Sequence, residues 1–447
     1  MIRRGLAKVL TGQDEQMREV LGKAALSLIL RVGGAAAQFA FTVLIARMFG
    51  PAGLGRYALA LSVVVIASTF GRWGVDQASL KYVAIHAARG EQAAVKRMIW
   101  QAAWLVIVGS LVVTMLLLAV VPWLSRQVFH DPELTWLMRL MTLSIVPFSL
   151  LNLVAEAHRG LRRIGSYTVI QGVLVPLLSI SLLLVFHQLG GMELYAVALA
   201  YVIACLLTTS AALFLWRLSL GSGGKGEGTA KATPVRTMLA TANPMAWVAL
   251  ISVAMSFTET MLLGIFWTSE EVGLYAAALR LALLLNFVII AFNSILAPKF
   301  AALYHAGNLE SMHMLARRSV TLMLLVTSPI FLLFFLMPDQ ALGLFGSQFS
   351  GTSRVLRVLT LGQLINIATG PVGIMLLMTG HERLMRSNLL VAALCSIVFG
   401  TLMVSRFGVI GAAISAAFAM LVLNGLSVWG VRRKLGRAGV LCADEGV

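Results

Sequence analysis

Apolar residues occur along the whole chain in runs of 18 or more, separated by short polar or glycine-containing breaks. Residues 104–121, WLVIVGSLVVTMLLLAVV, form one such run, and residues 320–338 contain another. A helix of about 20 residues crosses the roughly 30 Å hydrocarbon core of a bilayer, so each run predicts one spanning helix. The ten-residue alternation that marks a membrane β-barrel is absent from the sequence. The pattern therefore predicts an all-α membrane protein.

The breaks divide the apolar sequence into twelve predicted spans. Their approximate limits are 23–46, 53–80, 98–122, 134–156, 165–187, 193–216, 238–267, 272–297, 318–338, 354–379, 388–405 and 409–431. The first 20 residues are polar and mixed in charge, so we expect no cleavable signal peptide.

Basic residues predict the orientation of these spans. The chain has a net charge of +17, but only 12% of its residues are charged, against about 25% in soluble domains. Lys and Arg collect in cytoplasmic loops of membrane proteins, which makes a nucleic-acid partner unnecessary. Alternate loops and the two termini carry 25 Lys and Arg. The opposite side carries Arg47, Arg56, Arg126 and Arg406, or six basic residues if Arg354 and Arg357 are added. Both termini are thus predicted to be cytoplasmic.

Cysteine and histidine spacing offers no metal or catalytic centre. Cys205 and Cys395 lie in apolar runs and Cys442 in the tail, without disulfide or zinc-ligand spacing. The seven histidines lie in or beside predicted loops and form no metal pair or Ser-His-Asp set. We expect no metal, no cofactor and no catalytic residue.

The chain contains two related halves. A constant offset of 218 residues aligns GLGRYALAL with EVGLYAAAL, and it pairs Gly55 with Gly273 and Tyr57 with Tyr275. Six helices per copy give both copies the same orientation, as in transporters with parallel repeats. The predicted parts are a cytoplasmic segment 1–22, an N-lobe 23–217, a flexible linker 218–237, a C-lobe 238–431 and a cytoplasmic tail 432–447. Two such lobes around a central cavity suit alternating access.

The turn FGPAGLGRYALAL after the first span, its counterpart EVGLYAAALRLALLL, the twelve spans and the short glycine loops resemble the oligosaccharide flippase family. This family is part of the multidrug/oligosaccharidyl-lipid/polysaccharide exporter superfamily, and the resemblance covers roughly residues 20–432. It implies a bacterial inner-membrane protein that moves a polyprenyl-diphosphate-linked oligosaccharide to the outer leaflet without an ATP site. It also implies contact with other polysaccharide-assembly proteins.

Ionisable side chains at membrane depth cost about 2.5–3.5 kcal/mol on insertion scales, so they are candidates for a cavity. Arginine stays charged and matches phosphate oxygens bidentately. Four polar residues in the predicted spans could therefore bind an anionic headgroup: Arg31, Gln38, Arg72 and Arg280.

These candidates have structural alternatives. Arg72 could pair with Asp76, four residues further along the same helix, and Arg31 could extend to the cytoplasmic interface. Glu259 and Asp76 are candidates for coupling to protons or cations. Glu259 could instead be the ion-pair partner of Arg280.

Three other functions compete. A proton- or sodium-coupled multidrug exporter needs deep acidic residues, and this chain offers mainly two against three arginines. A lipid-linked peptidoglycan precursor flippase usually has two further helices, which this sequence lacks after its twelfth span. A glycan polymerase or ligase generally needs a large outer loop, whereas the longest one here, 338–353, has about fifteen residues. We therefore expect a transporter and not an enzyme.

Overall fold

The computed structural model describes residues 2–190, 193–219 and 233–436, with side chains from residue 29 onward. These residues form helices and short connections, and no β-strand occurs among them. Their α-helices are α1 (Ile2–Arg72), α2 (Val75–Ala88), α3 (Gln92–Trp123), α4 (Leu134–Thr142), α5 (Ile145–Gly160), α6 (Ile164–Thr168), α7 (Leu174–Gln188), α8 (Tyr195–Ser219), α9 (Val235–Phe266), α10 (Ser269–Ala282), α11 (Asn286–His305), α12 (Leu309–Leu336), α13 (Pro338–Leu342), α14 (Ser353–Thr369), α15 (Val372–Met378) and α16 (Glu382–Leu435). The all-α fold class is confirmed.

The helices are consistent with twelve membrane crossings. Eight helical stretches of the described chain are long and apolar enough to cross a bilayer, and two bent pairs, α4 with α5 and residues 347–369 with α15, add two more. Two of the eight, Ile29–Arg72 and α16, have 44 and 54 residues, enough for two crossings each. Each is broken at a glycine with positive φ, Gly50 at 66° and Gly408 at 56°. The predicted spans flank both glycines.

The second predicted span, 53–80, is not one continuous helix. Helix α1 ends at Arg72, and Trp73 and Gly74 adopt positive φ angles of 43° and 71° before α2 begins. A Cβ atom at Gly74 would lie 2.4 Å from the Ala242 carbonyl oxygen of α9, so the break occurs where another backbone comes very close. Discontinuous helices of this kind are common at the binding sites of transporters.

Contacts divide the chain into two compact units, which differ from the predicted lobes. The first unit comprises Met1–Phe41, Ala67–Met115 and Leu143–Ala246. The second comprises Thr42–Ile66, Leu116–Thr142 and Trp247–Val447. The second unit thus takes the predicted outer ends of the first four spans together with most of the C-lobe, because those ends pack on α9 and α10. The division into sequence lobes stays a prediction. Most of the predicted linker, 220–232, and the tail from 437 lie outside the described residues.

Small residues bring helices together in the first unit. A Cβ atom at Gly109 would lie 2.5 Å from the Gly71 carbonyl oxygen, and one at Gly71 would lie 2.7 Å from the Ser110 hydroxyl oxygen. Helices in lipid gain little from hydrophobic association and rely on such close contacts. In the second unit, large apolar side chains fill one core cluster, which includes Phe300, Met312 and Met375.

Candidate functional site

A cavity of about 190 Å³ lies in the second unit, between the predicted outer parts of the first two spans and helices α9 and α10. Its lining residues are Thr42, Leu54, Tyr57, Ala58, Leu61, Ser62, Ser256, Phe257, Thr260, Ala276, Leu279, Arg280 and Leu283. At about 30 Å³ per water molecule, the cavity has room for roughly six waters. A charged headgroup fits this volume, but a whole oligosaccharide does not.

The cavity is built from the sequence repeat. The offset of 218 residues pairs Ala58 with Ala276 and Leu61 with Leu279, and all four residues line it. The same offset places Arg280 opposite Ser62, so one half contributes a guanidinium where the other contributes a hydroxyl. Two similar apolar walls therefore enclose a single positive charge.

Arg280 has no neutralising partner among the described residues. No carboxylate lies within ion-pair distance of its guanidinium, and no hydrogen bond from it is found in that part of the chain. The predicted alternative, pairing with Glu259, is not observed. A half-buried arginine facing a cavity keeps its donors available for a ligand with anionic oxygens.

Two glycines at equivalent positions of the repeat let the helix backbones beside this cavity come into close contact. A Cβ atom at Gly55 would lie 1.7 Å from the Ser269 carbonyl oxygen, and one at Gly273 would lie 1.8 Å from the Pro51 carbonyl oxygen. Neither position accepts a larger side chain unless the two backbones separate. The residues that reveal the repeat in the sequence are thus the ones at which its two copies touch.

An ion-pair cluster joins the same segments. Arg56 Nε donates to Asp131 Oδ2 at 2.7 Å, and a second nitrogen of Arg56 contacts Glu133 at 2.5 Å. The Ser269 hydroxyl, at the start of α10, also donates to Asp131 Oδ2, at 2.6 Å. Burial alone would raise the pKa of Asp131, but hydrogen bonds from Arg56 and Ser269 outweigh it and hold that pKa below its ordinary value. We call Arg56, Asp131 and Ser269 the outer clasp.

Glu259 is buried apart from the cavity, with 5% of its surface exposed. Its Oε1 atom accepts hydrogen bonds from Ser396 Oγ at 2.8 Å and Ser415 Oγ at 3.2 Å, both on α16. No basic residue lies within ion-pair distance among the described residues. A carboxylate in a bilayer protein that accepts hydrogen bonds from neutral hydroxyl groups and has no cationic partner is costly to keep charged.

In the first unit, Arg72 lies at the break between α1 and α2. It contacts Asp76 Oδ2 at 3.7 Å, donates to Thr69 Oγ1 at 3.3 Å, and lies 5.8 Å from the centroid of the Phe148 ring. Only 11% of its side chain is exposed, and its Nε atom has no hydrogen-bond partner among the described residues. The predicted alternative of an Arg72–Asp76 pair is what the geometry shows, and the pair leaves one donor unused.

Arg31 and Gln38 lie in the first unit, Arg31 exposed and Gln38 half-buried. Nothing in the geometry assigns either of them to a ligand, so their roles stay predictions.

Sequence reasoning missed two groups. Glu156, with 3% exposure, binds Arg159 at 3.2 Å, but the fourth span was predicted to end at residue 156, which made this carboxylate look interfacial. From the sequence, Arg56 is recognised only as a loop charge, although the opposite charges at 131 and 133 lie in the next predicted outer loop.

One curated relative is a probable low-salt glycan biosynthesis flippase, Agl15, from Haloferax volcanii. It is 23% identical over 168 residues, which is 37% of this chain and 36% of the relative. The chain therefore aligns with only about a third of that protein's length.

Solved structures of transporters share the fold. The inward-facing form of a multidrug resistance MATE transporter of the MOP superfamily matches with a TM-score of 0.75 at 15% identity, covering 92% of this chain and 98% of that one. The lipid II flippase MurJ, in an inward closed conformation, matches with a TM-score of 0.72 at 12% identity, covering 91% and 87%. A MOP superfamily transporter from Pyrococcus furiosus matches at 0.65 and 15%, covering 92% and 95%. At these identities the similarity establishes the fold alone.

The model of the polysaccharide biosynthesis protein family matches residues 20–304, well over half of the chain. The match includes both copies of the glycine-tyrosine motif, the helix break at Trp73–Gly74 and the cavity with Arg280. It confirms the resemblance predicted from the sequence. This multi-pass membrane protein belongs to the polysaccharide biosynthesis protein family.

Proposed function

We propose that the protein is a flippase that moves a polyprenyl-diphosphate-linked oligosaccharide across the membrane during the synthesis of surface polysaccharide. The observation that carries this proposal is Arg280, a cation without an acidic partner among the described residues, in a cavity of headgroup size. A diphosphate offers the anionic oxygens that a guanidinium binds best, in bidentate geometry. Family membership and the partial similarity to a probable glycan flippase support the same substrate class.

The outer clasp and the Gly55–Gly273 contact suggest how access is controlled. Both hold together segments on the predicted outer side of the cavity, so separating them would open a path for the headgroup outward. The lipid tail stays in the bilayer while the charged group passes the arginine. This is alternating access by two similar halves, and it needs no covalent step.

We propose that a buried carboxylate couples transport to a proton or sodium gradient. Glu259 has no basic partner among the described residues, whereas Asp76 already contacts Arg72. Glu259 is therefore the stronger candidate for a proton or sodium site, and Asp76 the weaker one.

A proton- or sodium-coupled multidrug exporter is the second candidate, since Glu259 would suit cation coupling in it equally well. The charge in the cavity argues against it, because Arg280 would repel cationic drugs. A glycan polymerase or ligase remains the alternative of another class, and a translocation role without catalysis accounts for the family membership more simply.

The proposed location is the inner membrane of a bacterium, with both termini in the cytoplasm. The proposed surroundings are the lipid bilayer, the lipid-linked oligosaccharide and other proteins of polysaccharide assembly. Fusing a reporter that is active only in the cytoplasm to either end tests the orientation, and an inactive fusion that is stably expressed contradicts it.

Arg280→Ala tests the proposed function directly. Proteoliposomes carrying a fluorescent polyprenyl-diphosphate-linked glycan report flipping when a membrane-impermeant quencher or glycosidase reaches the label. We expect Arg280→Ala to lower the rate at least tenfold and Arg280→Lys to retain part of it, because lysine keeps the charge but not the bidentate geometry.

Arg126→Ala is the matched control, since Arg126 is exposed on the predicted outer side and does not line the cavity. A wild-type rate for Arg280→Ala removes this residue from the site. Transport of cationic drugs in place of the glycolipid rejects the flippase proposal.

A further inference from the structure

A second and larger cavity, of about 600 Å³, lies within the second unit on the predicted outer side. Its walls come from three connections: the one between α9 and α10, the one that leads into α14, and the turn at Gly408 in α16. Pockets of about 300–1,000 Å³ are typical of small-molecule sites. None of its residues belongs to the cavity around Arg280.

Basic residues are concentrated at this cavity, although the predicted outer side carries few Lys and Arg overall. Of the six Lys and Arg on the predicted outer side, Arg354 and Arg357 both line this cavity, and both are exposed. Arg357 Nε donates to the Phe335 carbonyl oxygen at 3.0 Å, which anchors that side chain and leaves its terminal nitrogens for other acceptors. Arg354 makes no hydrogen bond or ion pair with any described residue.

The acidic lining residues are already engaged with protein groups. Asp339 accepts a hydrogen bond from the Ser353 hydroxyl, and Glu271 accepts one from the Thr268 backbone N–H at 3.3 Å in a capping box. Their negative charges thus stabilise the ends of helices. The arginines supply the donors that remain open to a ligand.

Two aromatic side chains complete the lining. Trp267 donates its indole N–H to the Val404 carbonyl oxygen at 2.7 Å, so its orientation is fixed and its ring has no further donor. It remains 37% exposed, and Phe407 is 57% exposed. An aromatic face attracts the positively polarised C–H face of a ligand, while arginine binds carboxylate oxygens in pairs.

We propose that this cavity binds a carboxylate-bearing pyranose, with the sugar's C–H face against Trp267 or Phe407 and its carboxylate on Arg354 and Arg357. The site rests on the proposed function, because it takes the sugar end of the same substrate on the side where that substrate is released. It makes acidic glycans the preferred class of cargo.

Binding of soluble oligosaccharides to the full-length protein tests this site without any transport step. The protein is held in a polyoxyethylene detergent, which has no sugar headgroup, and titrated calorimetrically with tetragalacturonate or with uncharged maltotetraose. We expect tetragalacturonate to bind at least tenfold more tightly than maltotetraose. Arg354→Ala should weaken tetragalacturonate binding about tenfold, and Phe407→Ala should weaken it as well.

Arg126→Ala serves as the control, with the same loss of charge outside the cavity, and should bind like the wild type. Unchanged binding by Arg354→Ala overturns the proposal, and so does equal weakening by Arg126→Ala. Loss of binding in Arg280→Ala alone would locate the sugar in the other cavity and also overturn it. Measuring tetragalacturonate binding in nanodiscs of phosphatidylglycerol and of phosphatidylcholine separates a sugar site from a lipid-headgroup site. Weaker binding in phosphatidylglycerol would show that the anionic lipid occupies the site, and this result rejects the sugar as its ligand. If flipping depends on Arg280 while no acidic sugar binds, the outer site fails and the flippase function stands.

Discussion

Replacing Gly55 by alanine tests whether the two repeat-related glycines close the Arg280 cavity on its predicted outer side. The added Cβ atom would lie 1.7 Å from the Ser269 carbonyl oxygen, whereas ordinary contacts begin near 3.4 Å. The backbones must therefore separate by about 1.7 Å, and nothing flexible can absorb the shift because the contacted atom is backbone. Overpacking of this kind typically costs about 1–3 kcal/mol. This cost destabilises the closed conformation, so it raises the ratio of open to closed molecules about 5- to 150-fold.

The readout is thiol labelling at Ser62→Cys, in a background whose natural cysteines, Cys205, Cys395 and Cys442, are replaced by serine. Ser62 lines the Arg280 cavity and is only 1% exposed, so a membrane-impermeant reagent added outside the cell should reach it only when the cavity opens on its predicted outer side. We expect Gly55→Ala to raise the labelling rate of the cysteine at position 62 by about 5- to 150-fold. Gly273→Ala should act in the same direction, since its Cβ would lie 1.8 Å from the Pro51 carbonyl oxygen.

Gly425→Ala is the matched control, because a Cβ atom there meets no other atom within 4 Å. A labelling rate for Gly55→Ala equal to that of the parent protein refutes the closure argument. Equal acceleration by Gly425→Ala would show that the effect is a general loosening of the fold.

Three further predictions concern charged side chains. Asp131→Asn should lower the free energy of unfolding by about 1–3 kcal/mol at pH 7, because Asp131 accepts charge-assisted bonds from Arg56. The folded pKa of Asp131 is depressed, so this contribution is present above the ordinary aspartate pKa of about 3.9 and is lost as the pH falls through the lower folded value; a mutant deficit that vanishes already near pH 6 contradicts this assignment. Glu259→Gln should retain flipping but lose its dependence on a proton or sodium gradient in proteoliposomes, and an unchanged dependence retires the coupling role. Asp76→Ala should destabilise the protein by at most about 3–5 kcal/mol, the cost of a fully broken buried pair, because it removes the nearest counter-charge of Arg72 while the Glu156 carboxylate remains. The variant that lacks both Arg72 and Asp76 should lose less stability in thermal unfolding than the sum of the two single alanine variants, and additive losses would show that the pair is not coupled.

Local sequence determined the membrane class, the approximate spans and the two-copy pattern. Hydrophobicity over about 20 residues is a property of each segment alone, so the runs on either side of Gly50 and Gly408 could be read without knowing their neighbours. Arg280 could also be named as a candidate from the sequence, because depth within a predicted span is a local quantity. Its facing toward a cavity was a prediction that the sequence could not test.

Only the tertiary structure decided which side chains meet. Arg56 and Asp131 are 75 residues apart in the sequence, and Glu259 and Ser396 are 137 residues apart. No helical periodicity relates residues on different helices, so the engagement of Glu259 with serines instead of Arg280 had no local signal. The break at Trp73–Gly74, inside a predicted span, had no local signal either, because the α9 backbone that lies against it is distant in the sequence. The hydrophobicity of each segment determines which segments can cross the bilayer. Contacts between segments determine which charged side chains keep donors available for a ligand.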